Sequence, residues 1–209
     1  MPRATRRVLC TVVLAVAFLG QPGSADSTHP QDAAAPAVAA EPGRAQASSR
    51  NGRITLFNDA VSGSWTISKD RFTVAGFEDK QDGRQLPLPA SAFAIALDGG
   101  RVVQASEMRV TGTPRIERLA GDPHASRLSE RLAGRQVVVA LEATDAGLRA
   151  TWHGVLRDGS NYLRQVVTIE AAAKDVSIGE VRLIDIDLPD AHVVGTVKGS
   201  PIVSNEIFL

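Results

Sequence analysis

Cysteine is almost absent from this chain. The only one, Cys10, lies inside an apolar run near the start. If that run is removed on export, no thiol remains, which excludes disulfides, thiolate metal sites and a cysteine nucleophile. Aromatic residues are equally sparse: two tryptophans, one tyrosine and six phenylalanines leave little material for an extended stacking platform. An excess of either charge is missing too. Basic and acidic residues number 23 each, so the chain has no electrostatic footprint for nucleic acid or an anionic membrane surface. There is no Gly-x-Ser-x-Gly elbow, no zinc-binding helix and no glycine-rich strand-to-helix loop, which leaves serine-hydrolase, zinc and nucleotide chemistry without a carrier. No cofactor or metal is expected.

What is present begins with a targeting pattern. Arg3, Arg6 and Arg7 precede the apolar stretch Val8 to Gly20, and small residues follow at Gly23 and Ala25. The apolar stretch is too short to span about 30 Å of hydrocarbon, so residues 1–25 read as a cleaved export signal. Too few apolar residues precede Cys10 for a lipidated leader, and the surroundings of Arg6-Arg7 fit the twin-arginine pattern poorly. The expected location is secreted or periplasmic, with no membrane contact after cleavage. Without the leader the balance becomes 20 basic against 23 acidic residues. Residues 26–50 are rich in Ala, Pro, Ser and Gln with hardly any large apolar side chain, the composition of a disordered linker. Residues 51–209 are enough for one sizeable domain.

In that domain, apolar residues alternate with polar ones in short runs, as half-buried strands require. Arg53 to Phe57 follows the turn dipeptide Asn51-Gly52. Val61 to Ser68 and Arg71 to Phe77 come next, and Pro87 and Pro89 bar Leu86 to Pro89 from a central strand. Ala92 to Leu97 and Arg101 to Ala105 form a hairpin across Asp98-Gly99-Gly100, and Met108 to Thr113 extends it. The segments Arg115 to Leu119 and Arg127 to Leu132 are ambiguous, and Asp122-Pro123-His124 has the residues of a helical turn. The β-branched Val137-Val138-Val139 argues a strand over Gln136 to Ala143. The clearest stretch, Leu148 to Leu188, reads as three strands, with a turn at Arg157 to Ser160 and a break at Ala171 to Asp175. His192 to Lys198 and Ile202 to Phe208 complete the series. The expectation is an all-β, antiparallel β-sandwich. An apolar strand pattern running to Leu209 reads as a domain incomplete at its C-terminal end.

The run Trp152-x-x-Val155-Leu156-Arg157-Asp158-Gly159-Ser160-Asn161-Tyr162-Leu163-Arg164-Gln165-Val166-x-x-Ile169 resembles the N-terminal β-supersandwich, or galactose-mutarotase-like domain, of bacterial glycoside hydrolases of the α-galactosidase type. The resemblance implies a non-catalytic module that packs against a downstream (β/α)₈ barrel carrying the catalytic carboxylates, and that contributes to glycan binding. That barrel is not among these residues, so no catalytic residue is carried over. The alternative is a self-contained exported sandwich that binds a glycan or a protein without chemistry. A small free-standing mutarotase is a third reading.

Individual residues add little. His153 adjoins Trp152 on a strand, and alternation puts the two on opposite faces, so His153 reads as structural. His124 and His192 read as surface residues. Asp185 and Asp187 share a strand face, with Asp190 in the next loop. They lack the dense oxygen spacing of a calcium loop and read as a solvated face. Trp65 and Trp152 read as core. Tyr162, opening a strand beside a turn, is the candidate carbohydrate-binding residue.

Overall fold

A computed structural model describes residues 14–18, 41–186, 191–197, 202–204 and 207–208. The strands are β1 (Leu14–Phe18), β2 (Gln46–Arg50), β3 (Arg53–Phe57), β4 (Val61–Ser68), β5 (Arg71–Asp79) and β6 (Arg84–Leu86). They continue with β7 (Ala94–Leu97), β8 (Val102–Gln104), β9 (Arg109–Val110), β10 (Arg115–Leu119), β11 (Gly134–Ala143) and β12 (Leu148–Arg157). The last five are β13 (Tyr162–Ala171), β14 (Ile178–Arg182), β15 (His192–Val193), β16 (Ile202–Ser204) and β17 (Ile207–Phe208). Every pairing is antiparallel, and the only helical elements among the described residues are three short 3₁₀ turns. The expected all-β sandwich is what the chain forms.

Two meanders make the layers. One runs β2-β3-β4-β5 and the other β11-β12-β13. The short β9 joins them at a corner, where Arg109 pairs with Arg71 of β5 and with Glu142 of β11. Because alternate residues point to opposite faces, each meander turns one apolar row inward. Ile54, Leu56, Trp65 and Phe72 meet Val137, Val139, Leu141, Trp152 and Ile169 in one core. A smaller sheet, β14-β7-β8, adds Ile95 and Val103 to that core, and Phe93 joins from just before β7. At one end Asn58, fully buried, ties the layers together. Its Nδ2 donates to the Ser160 carbonyl at 2.7 Å, while its Oδ1 accepts from the Ala60 and Val61 amides.

Three sequence readings are corrected. Residues 46–50, assigned to a linker by composition, form an edge strand, and Ala45 before it is buried. Apart from Ala47, which packs against the core, their side chains are polar, but Asn51 and Gly52 both take positive φ, the geometry of the two-residue hairpin turn that sets β2 against β3. Main-chain bonds form the strand where side-chain burial does not. Second, the chain after β8 does not continue that hairpin: it passes a 3₁₀ turn at Ala105–Glu107, and β9 joins the other sheet. Third, Val176 to Leu188 is not a single strand. β14 covers only Ile178–Arg182 and pairs with β7 instead of extending the β12–β13 hairpin. Its register shifts between Ile178 and Glu180, at Gly179, where a glycine inside a strand pattern marks a bulge. The two ambiguous segments divide: Arg115–Leu119 is a strand, and Leu128–Arg131 within the second is a 3₁₀ turn. Residues 187–190, 198–201, 205–206 and 209 fall outside the described residues.

Candidate functional site

A cleft lies between the layers, beside two tryptophans. Trp65 on β4 and Trp152 on β12 meet edge to face, with ring centroids 4.8 Å apart, and Phe72 lies 4.9 Å from Trp152. Each indole leans over a glycine two residues away on its own strand. A Cβ at Gly63 would come within 2.9 Å of Trp65 Cη2, and one at Gly154 within 2.5 Å of Trp152 Cη2. The segments Gly63-Ser64-Trp65 and Trp152-His153-Gly154 are therefore mirror-image devices: a period of two places glycine beneath its tryptophan on the same face. The pairing of Trp with Gly at this spacing is a readable signal that composition and alternation alone pass over.

The cleft is lined by both tryptophans, Phe77, Leu88, Leu163 and Gln165, among others, and has a volume of about 70 Å³. That is roughly half of the 150 Å³ that admits benzene in an engineered cavity. It takes a small apolar group and no sugar ring unless the walls move. Its polar fitting is Gln165, whose Oε1 accepts from Trp152 Nε1 at 2.9 Å while its Nε2 donates to the Leu183 carbonyl. The indole N–H and the amide are thus both satisfied, and the bond locks Trp152 in place.

Tyr162 is half-buried at the start of β13 and is not part of the cleft lining. Trp65 and Trp152 are buried, as the alternation implies. His153 lies on the other face of β12, level with Val138 and Val166. Partial burial moves its pKa below the usual imidazole value; the Glu117 carboxylate opposes that and the Arg115 guanidinium adds to it.

This outer face carries a lattice of paired charges. Glu117 accepts from Arg115 at 2.9 Å and from Gln136 at 2.6 Å, and these bonds hold its carboxyl below the usual range. Glu130 accepts from Arg164 at 2.8 Å and from Arg127 at 3.4 Å, and is likewise held low, by Arg164 above all. Arg157 donates to the Ala120 and Leu132 carbonyls, so residues 120–132 are fastened onto the face at both ends.

His124 is exposed in a turn, its amide donating to Asp122 Oδ1, and His192 is exposed on β15. Asp185 does not sit on a strand face. It lies beyond the end of β14, exposed, 3.7 Å from Arg182, while Asp187 and Asp190 are outside the described residues. Among the described residues no three His, Cys, Asp or Glu side chains converge.

The most exposed large apolar side chains among the described residues lie on two surfaces. On the segment from His192 to Ile202, Val193, Val194, Val197 and Ile202 are 60, 50, 74 and 40% exposed. On the 120–132 excursion, Leu128 is 74% exposed. Comparison with known proteins gives no significant match to a protein family, a curated protein or a solved structure.

Proposed function

We propose that this chain is the non-catalytic β-sandwich module of an exported glycoside hydrolase. In this reading residues 1–25 are cut off on export and the sandwich packs against a catalytic barrel encoded outside these residues. The resemblance of Trp152 to Ile169 to the supersandwich of such enzymes points this way, and the all-β sandwich agrees with it. The observation that carries the packing role is the exposure of Val193 on β15, Val194 and Val197 just after it and Ile202 on β16. Contiguous apolar side chains left in water favour association, at about 25 cal/mol per Å² removed from solvent. Tyr162 is the residue of this module assigned to glycan contact.

The coding DNA tests this directly. Beyond the codon for Leu209 the open frame is expected to continue into alternating strand and helix patterns of a barrel, and a stop codon at that point overturns the reading. In the full-length product, Tyr162→Ala is expected to weaken retention on a glycan affinity gel several-fold without changing stability, and unchanged retention removes Tyr162 from the glycan site.

A further inference from the structure

The free side of β13 is closed by an unexpected neighbour. β12 pairs with β13 along one side, from Leu148↔Ala171 to Val155↔Arg164. On the other side lies β1, with Leu14 opposite Gln165 and Ala17 opposite Tyr162. β1 in turn carries the C-terminal ribbon, Ala17 opposite Phe208 and Phe18 opposite Ile207. Five residues of the expected export segment thus join the ribbon to the sandwich. Among the described residues, no direct pairing links β17 to β13.

We propose that the edge of β13 at Tyr162–Gln165 is a strand-accepting site. Leu14–Phe18 fills it before the leader is cut, and an apolar extended segment of the catalytic unit fills it afterwards. This rests on the export and partner readings above. An uncovered edge presents a row of unpaired N–H and C=O groups, which another strand satisfies by adding to the sheet. The seated sequence Leu-Ala-Val-Ala-Phe defines the chemistry accepted: extended, uncharged and without proline. The edge also borders the cleft, since Leu163, Arg164 and Gln165 line it. Loss of β1 frees this edge and, in the same event, removes the strand pairing that joins β17 to the sandwich.

The test uses the full chain with Ala15→Pro and Val16→Pro. Both positions pair with β13, and successive residues of a strand turn their N–H groups to opposite sides, so this pair removes one donor from the β1–β13 ladder. Hydrogen exchange of the β13 edge amides between Tyr162 and Gln165 is expected to speed up at least about ten-fold relative to the unaltered chain. A lysine-flanked Leu-Ala-Val-Ala-Phe peptide is expected to bind the variant at least about ten-fold more tightly than the unaltered chain, and to restore the protection. Unchanged protection means the ribbon closes the gap itself, and overturns the proposal. So does peptide binding that leaves those amides unprotected, or dimerisation of the variant, which gives the edge to a second copy. Tryptophan fluorescence checks that the variant is folded; if it is not, replacement of residues 14–18 by Gly and Ser is read the same way. N-terminal sequencing of the exported protein is a separate arm: a retained leader defeats the export reading and leaves the peptide result standing.

Discussion

The layers around Trp152 and the ribbon at the C-terminal end are built from similar residues and put them to opposite use. Val137, Val139 and Val167 are almost entirely shielded between the sheets, whereas Val193, Val194 and Val197 are at least half exposed. Both regions are rich in valine, but of the second set only Val193 is in a strand, and Val194 and Val197 follow β15. What differs is the number of neighbours each strand can reach. β12 has a strand on each side and a second layer across the core, while among the described residues β15 pairs only with β16. The layered part buries its valines within the fold, and the ribbon leaves its own in solvent.

The sharpest way to break this contrast is Trp152→Ala. It removes the contacts with Trp65 and Phe72 together with the bond to Gln165, and a loss of about 3–5 kcal/mol in urea unfolding is expected. Asn58→Ala comes next, at about 2–3 kcal/mol, because it strands the Ser160 carbonyl and the Ala60 and Val61 amides in a buried position. Gly154→Ala tests the Trp-over-Gly device: the new methyl has to displace the Trp152 ring, and overpacking of about 1–3 kcal/mol is expected. Unchanged stability would show that the indole has room to shift.

Glu130→Gln bears on the fastening of residues 120–132. The carboxyl of Glu130 is held low when folded, so its contribution is present above the ordinary glutamate range and is lost as pH falls through the lowered value. The variant is expected to lose under about 1 kcal/mol near neutrality and to show a flatter stability profile between pH 5 and pH 3. A profile parallel to that of the unaltered chain would mean the Arg164 pair contributes nothing. The smallest effect belongs to the ribbon. Val197→Asp is expected to change the stability of the isolated chain by no more than about 0.5 kcal/mol while weakening association with a catalytic unit. A large destabilisation would show that the ribbon belongs to the core.

Much of the strand series was legible because alternation is local. Val61 to Ser68, Gln136 to Ala143 and Leu148 to Leu156 each present their inward row in a few consecutive letters. The candidate site was less legible. Trp65 and Trp152 read as core, but nothing local says that they touch each other. Nor does any local pattern mark Asn58, whose partner Ser160 lies 102 residues away. The edge strand at 46–50 was hidden for a different reason: it is formed by main-chain bonds, and its side chains resemble those of a linker. Asn51-Gly52 was the signal, since a two-residue turn of that type implies a strand on both sides.

The order of letters by itself determined where the backbone extends and where it turns, because a two-residue period and a glycine or asparagine at positive φ act within a few residues. Only the tertiary structure decided that β9 bends one sheet into two layers, that β14 leaves the β12–β13 hairpin for β7, and that β1 lies against β13. Those outcomes depend on which distant edges find each other, and any strand can offer the same row of N–H and C=O groups to several partners. Packing against the rest of the fold selects among them.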